Sequence, residues 1–98
     1  MTTHELKSWP EFFAPVERGE KTFELRIDDR HYEVGDVLVL REWMPDVHGT
    51  DEGRYTGREL RRRVTYVMQG LGTVGVIPPL KGLLRGYVIL ALEPEEKA

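Results

Sequence analysis

Apolar and polar residues alternate in several short stretches of the chain, and one early stretch changes to a helical period. Thr3 to Lys7 reads as a first strand. Ser8-Trp9-Pro10-Glu11 then has the form of a capping box, with Ser8 as N-cap and Glu11 at the third helical position. Trp9, Phe12, Phe13 and Val16 follow at helical spacing as an apolar stripe, which places Trp9 in the core. Pro15 removes the bond to the Glu11 carbonyl, so two short turns are expected in place of one helix, and Gly19 supplies the stop.

From Thr22 to Ile27 the period is two. Phe23, Leu25 and Ile27 share one face, suited to a core, while Thr22, Glu24 and Arg26 share the other. Asp28-Asp29-Arg30-His31 is a polar excursion, and Val34-Gly35-Asp36 is a turn. Val37 to Trp43 lacks clean alternation, which predicts a central strand covered on both faces. Met44 to Gly57 reads as a loop. The strand from Arg58 to Met68 sets Leu60, Arg62, Val64 and Tyr66 against Arg61, Arg63, Thr65 and Val67. Gly70 to Gly86 holds five glycines and Pro78-Pro79, and is expected to be a long loop with at most one helical turn near Leu80 to Leu84. Tyr87 to Leu92 is the last strand, and residues 93–98 read as a frayed acidic tail.

Five short strands and one early helix in 98 residues predict a single domain of mixed α+β, mainly β, class. Partial closure into a small β-barrel would remove most exposed strand edges, and composition alone does not choose this over an open α+β sheet.

The net charge of −3 argues against coating nucleic acid through the whole surface, yet leaves room for a local site. Positive charge gathers at Arg54, Arg58, Arg61, Arg62 and Arg63. The absence of cysteine excludes disulfides, thiolate metal sites and cysteine nucleophiles, and fits a reducing cytoplasm. The apolar run Tyr87 to Leu92 is far shorter than the roughly 20 residues of a membrane span, and the N-terminus lacks the order of a signal peptide. His4, His31 and His48 are isolated, and no phosphate-binding loop, dinucleotide fingerprint or G-x-S-x-G elbow is present, so neither metal nor cofactor is expected.

Gly19-Glu20-Lys21-Thr22-Phe23-Glu24-Leu25-Arg26 has the spacing G-x-K-x-x-E-x-R. In this it resembles the ASCH domains, relatives of the PUA RNA-binding barrels. His4-Glu5-Leu6-Lys7, Trp9-Pro10, Val34-Gly35-Asp36, Leu40-Arg41-Glu42-Trp43, Tyr55-Thr56-Gly57-Arg58 and Gly86-Tyr87-Val88 extend the likeness, and look like an uncharacterised bacterial and phage branch of that superfamily. The resemblance implies a PUA-like barrel with the helix packed at one end, and a cleft between barrel and helix that receives RNA or a nucleoside.

On that resemblance Lys21, Glu24 and Arg26 line the cleft, as a compact cation, an acceptor for an amide or amino group, and a planar fork for a phosphate or for Glu24 itself. His4 and Lys7 are expected to contribute from the first strand, and Trp43 either stacks on a base or belongs to the core. Arg61 and Arg63 share a strand face and could track an RNA backbone; the alternative is a solvated face. A second function class is a small amidohydrolase acting on acylated cytidine-type nucleosides, as in a neighbouring branch. Lys21 matches that branch's lysine, but Glu24 stands where its threonine would be, so Thr22 would have to substitute as nucleophile. A third class is a protein-interaction module that presents Val74, Val76, Ile77, Leu80 and Leu83 from the loop 70–86. Oligomeric state is not legible in the sequence.

Overall fold

The computed structural model describes residues 1–48, 52–70 and 86–95. Residues 71–85, on which the expected loop, its helical turn and its apolar residues Val74, Val76, Ile77, Leu80 and Leu83 fall, and residues 96–98 lie outside the described residues. In chain order the elements are β1 (Thr3–Ser8), α1 (Pro10–Glu17), β2 (Phe23–Ile27), β3 (Val37–Met44), β4 (Arg54–Gln69) and β5 (Tyr87–Pro94). They form one mixed, mainly β fold: a five-stranded sheet in the order β1-β3-β4-β5-β2, curled into a half-barrel. The β1–β3 pair is parallel and the other three pairs are antiparallel.

The concave face holds the core. Leu6, Leu38, Leu40, Val64, Val88, Leu90 and Leu92 converge there, and α1 closes the bowl with Phe13 and Val16, both buried. β3 is covered on both faces, as its unalternating pattern predicts: Val37, Leu38, Val39 and Leu40 are all buried. Burial of such side chains contributes about 1.5–3 kcal/mol each, so the strand centre and the helix stripe anchor the domain.

Several local expectations are corrected. Ser8 is not the helix cap; it remains in β1 opposite Glu42, and Trp9 takes the N-cap position without a side-chain cap. The Trp9 carbonyl accepts from the amides of Phe12 and Phe13, and the Trp9 ring stays partly exposed instead of entering the core. Pro15 does not split the helix, because in eight residues its missing amide frees only the carbonyl of exposed Glu11. β3 and β4 both extend into the stretch expected to be a loop, since Trp43 and Met44 pair with Tyr55 and Arg54. The register slips between Arg41 and Trp43, and Gly57 absorbs the slip at φ +95°, a conformation glycine adopts without strain. A second bulge between Val64 and Tyr66 reverses the alternation of β4, so Val67 packs inward and Tyr66 faces solvent. β5 runs on to Pro94, and the Glu95 carboxylate accepts from Arg61, so the start of the tail is tied to the sheet.

The largest departure is in β2. Phe23, Leu25 and Ile27 are 45, 53 and 62% exposed, whereas Glu24 is buried. The register with β5 sets Glu24 opposite Leu90 and Arg26 opposite Val88, both inner-face residues, and turns Phe23, Leu25 and Ile27 outward beside Ala91, Ile89 and Tyr87. One step of register exchanges the two faces of a strand completely. Here the charged face looks into the bowl.

Candidate functional site: the cleft between the sheet edges

β1 and β2 are the two edges of the sheet, and the curl brings them toward each other. Their gap is bridged by side chains rather than by a backbone ladder: Arg26 donates through Nη2 to the Lys7 carbonyl, and Arg30 through Nη1 to the Glu5 carbonyl at 3.0 Å. Glu5 and Lys7 are two apart on β1, so their carbonyls leave the same edge of the strand. The guanidiniums satisfy acceptors that an unpaired edge would otherwise present to solvent.

Next to this bridge lies a cleft of about 600 Å³, walled by Lys7, Ser8, Trp9, Phe12, Lys21, Phe23, Glu24, Leu25 and Arg26. How the chain delivers Lys21 is local chemistry. Gly19 sits at φ +81° just past the helix; its amide bonds the Val16 carbonyl at 3.1 Å, and the Glu20 amide bonds the Pro15 carbonyl at 2.9 Å, which is the Schellman pattern. The Lys21 amide bonds the same Pro15 carbonyl at 3.0 Å, so this lysine backbone is fixed by the helix end.

Glu24 is 5% exposed and lies between two cations. Arg26 Nε donates to Oε2 at 2.7 Å, and Lys21 Nζ donates to Oε1 at 3.3 Å. The Lys21 ammonium also stands 5.5 Å from the Phe12 ring centre and 5.2 Å from that of Phe23, within the range of cation–π attraction. A carboxylate offers about four lone-pair directions, so two remain for a ligand's N–H groups. The Ser8 hydroxyl, in the same wall, is buried with no hydrogen-bond partner.

The other residues singled out in the sequence divide between this cleft and elsewhere. Lys7 lines the cleft, with its ammonium 4.5 Å from the Trp43 ring centre. Trp43 is buried beneath it, 6.4 Å from Trp9 centre to centre. His4 lies at the other end of β1, where Nε2 meets Asp36 Oδ2 at 2.9 Å and the ring tilts against Tyr32. Thr22 is exposed and is not part of the cleft wall, while its carbonyl accepts from the Leu92 amide. Arg61 pairs with Glu95, and Arg63 lies 3.9 Å from Glu93. Arg62 reaches the carbonyls of Val16 and Arg61. Sequence reasoning does not place Ser8, Trp9, Phe12, Phe23 or Leu25 in the cleft. Ser8 reads as a cap, and the four apolar residues read as core on the strength of their periodicity.

Residues 3–92 match the family described as domain of unknown function DUF3850. This chain is a DUF3850 domain. An uncharacterised 12.9 kDa protein encoded beside GpA in Escherichia phage P2 is 41% identical over 64 residues, which is 65% of this chain. That matched stretch covers about half of the phage protein, 52% of its length. The DUF3850 match takes in all five strands up to Leu92, the helix and the whole cleft. No helix among the described residues is long and apolar enough to cross a membrane, and no three His, Asp or Glu side chains among them are grouped to hold a metal ion.

Proposed function

We propose that this DUF3850 domain is a recognition module for RNA or a modified nucleotide, read through the cleft between β1, α1 and β2. The observation that carries the reading is Glu24: a carboxylate buried at the wall of an open cleft and flanked by Lys21 and Arg26 within hydrogen-bonding reach. A charge removed from water costs free energy unless it is paired, and a fold needing only packing at this position would bury Leu25 instead. The arrangement suits a ligand that combines N–H donors, a flat apolar face and a phosphate. Glu24 accepts from the donors, the rims of Trp9, Phe12 and Phe23 meet the flat face, and Lys21 and Lys7 supply positive charge. The spacing of Lys21, Glu24 and Arg26, with a helix beside a curled sheet, is what an ASCH-type, PUA-like domain would present, and supports the same reading.

The test is fluorescence anisotropy of short single-stranded and hairpin RNAs across a salt series, with the wild-type protein and Lys21→Ala in parallel. Binding that weakens with salt, and weakens further in a variant that still folds, supports the pocket. A folded wild-type protein that binds none of the RNAs sinks the RNA reading and turns attention to free modified nucleosides.

A further inference from the structure

The gap between β1 and β2 continues past Arg26 into a second cavity of about 350 Å³. Leu25 and Arg26 belong to the walls of both, so one guanidinium divides two compartments of a single groove. On the far side stand Arg30, the half-exposed Tyr87 ring and Tyr32. Arg30 donates one N–H to the Glu5 carbonyl and lies 4.0 Å from the Asp29 carboxylate, which leaves most of its five donors unspent.

Tyr32 is the informative residue. It is 5% exposed, and its hydroxyl is buried without a hydrogen-bond partner. Leaving a buried hydroxyl unmatched costs free energy, a penalty that folding alone gives no reason to keep. Burial pushes the phenol above its ordinary value, so it stays protonated and able to donate at neutral pH. The unspent groups of this compartment are therefore the hydroxyl of the wall residue Tyr32 and the Arg30 guanidinium, which stands beside the exposed Asp29 carboxylate of the same wall. Leu25, Ile27 and Tyr87 supply apolar surface between them.

We propose that the second compartment is a subsite for the neighbouring nucleotide of a single-stranded oligonucleotide. Arg26 and Arg30 hold the linking phosphate, the Tyr32 hydroxyl donates to the second nucleoside, and Tyr87 packs against its base. The proposal rests on the recognition reading above and deepens it, because it makes the ligand a strand of at least two nucleotides rather than a free nucleoside.

Titration calorimetry with the dinucleoside monophosphates ApA, CpC, GpG and UpU, each against its 5′-mononucleotide, tests it. The mononucleotide carries the more highly charged phosphate, so tighter binding of the dinucleotide cannot come from charge alone. The expected result is that the preferred dinucleotide binds about tenfold more tightly or better, the worth of one good hydrogen bond to a charged or buried partner. Tyr32→Phe should remove most of that gain and leave mononucleotide affinity unchanged, whereas Arg30→Ala, which removes a phosphate donor, should weaken the dinucleotide at least as much as the mononucleotide. Tyr32→Phe deletes only an unmatched hydroxyl, so it should melt no lower than wild type. Equal affinities for mono- and dinucleotide, or a gain that survives Tyr32→Phe, overturns the second subsite and leaves the first cleft standing. Binding of neither overturns the subsite and, with it, the reading of the cleft as a site for unmodified RNA.

Discussion

Two buried carboxylates, Glu24 and Asp36, show how the same group serves two ends in one small fold. Asp36 sits where the turn before β3 meets the start of β1, and its oxygens accept from the amides of Thr2 and Glu33 at 3.0 Å each and from His4 at 2.9 Å. Burial pushes its carboxyl up, but those three bonds outweigh the burial and hold it below the ordinary carboxylate range. Two of the three donors are backbone. Glu24 is just as buried, yet its partners are the ends of two long side chains beside an open cleft. Backbone donors are rigid and consume the acceptor; side-chain cations leave part of it free and can themselves turn to a ligand. The first arrangement builds structure, and the second is suited to recognition.

The comparison breaks most visibly at Asp36. Asp36→Ala leaves two amides and a ring nitrogen unmatched in the interior and should cost about 3 kcal/mol, which lowers the melting temperature of a domain this size by about 12–24 °C. A shift under a few degrees in a thermal melt would mean that the carboxylate is not structural. Glu24→Gln should reverse the balance: it keeps the shape, lowers melting temperature less than Asp36→Ala, and weakens RNA binding by about 10–100-fold, as expected for loss of a charge-assisted bond. Equal loss of stability in the two variants would erase the distinction. Lys21→Ala should weaken binding about tenfold and make the log–log salt dependence shallower by about 0.7, the share of one phosphate contact on a single strand. Arg61→Ala should leave both quantities where they were, because its guanidinium is engaged by Glu95. If Arg61→Ala flattened the salt slope as much as Lys21→Ala, the arginine face of β4 would belong to the binding surface.

The smallest effect is a pH dependence of stability. Since Asp36 is held below its ordinary range, the stability it contributes is complete above the unfolded carboxylate value of about 4 and is lost as pH falls through the lower folded value. Chemical denaturation between pH 3 and 6 should therefore show a fall at the acid end that is shallower in Asp36→Asn. An identical acid slope in the two proteins would assign the effect to other carboxylates.

Much of the architecture was legible in the chain. A helical stripe ending in glycine, a double-covered strand at Val37 to Leu40 and short alternating runs define one mainly β domain, because periodicity and glycine conformation act within a few residues. The spacing of Lys21, Glu24 and Arg26 was legible for the same reason, since a helix end and a strand of fixed rise set their positions. Which face of β2 turns inward was not. Its apolar residues read as core, and the register with β5 together with the carbonyl edge of β1 overruled them by offering Arg26 and Glu24 partners inside the bowl. Likewise no local signal could show that bulges in β3–β4 and β4–β5 would shift the register, bring Val67 inward, or leave Arg61 beside Glu95. Pattern and spacing are properties of neighbours in sequence. Burial, register and the identity of a charge's partner depend on residues tens of positions away, and only the curled sheet brings those together.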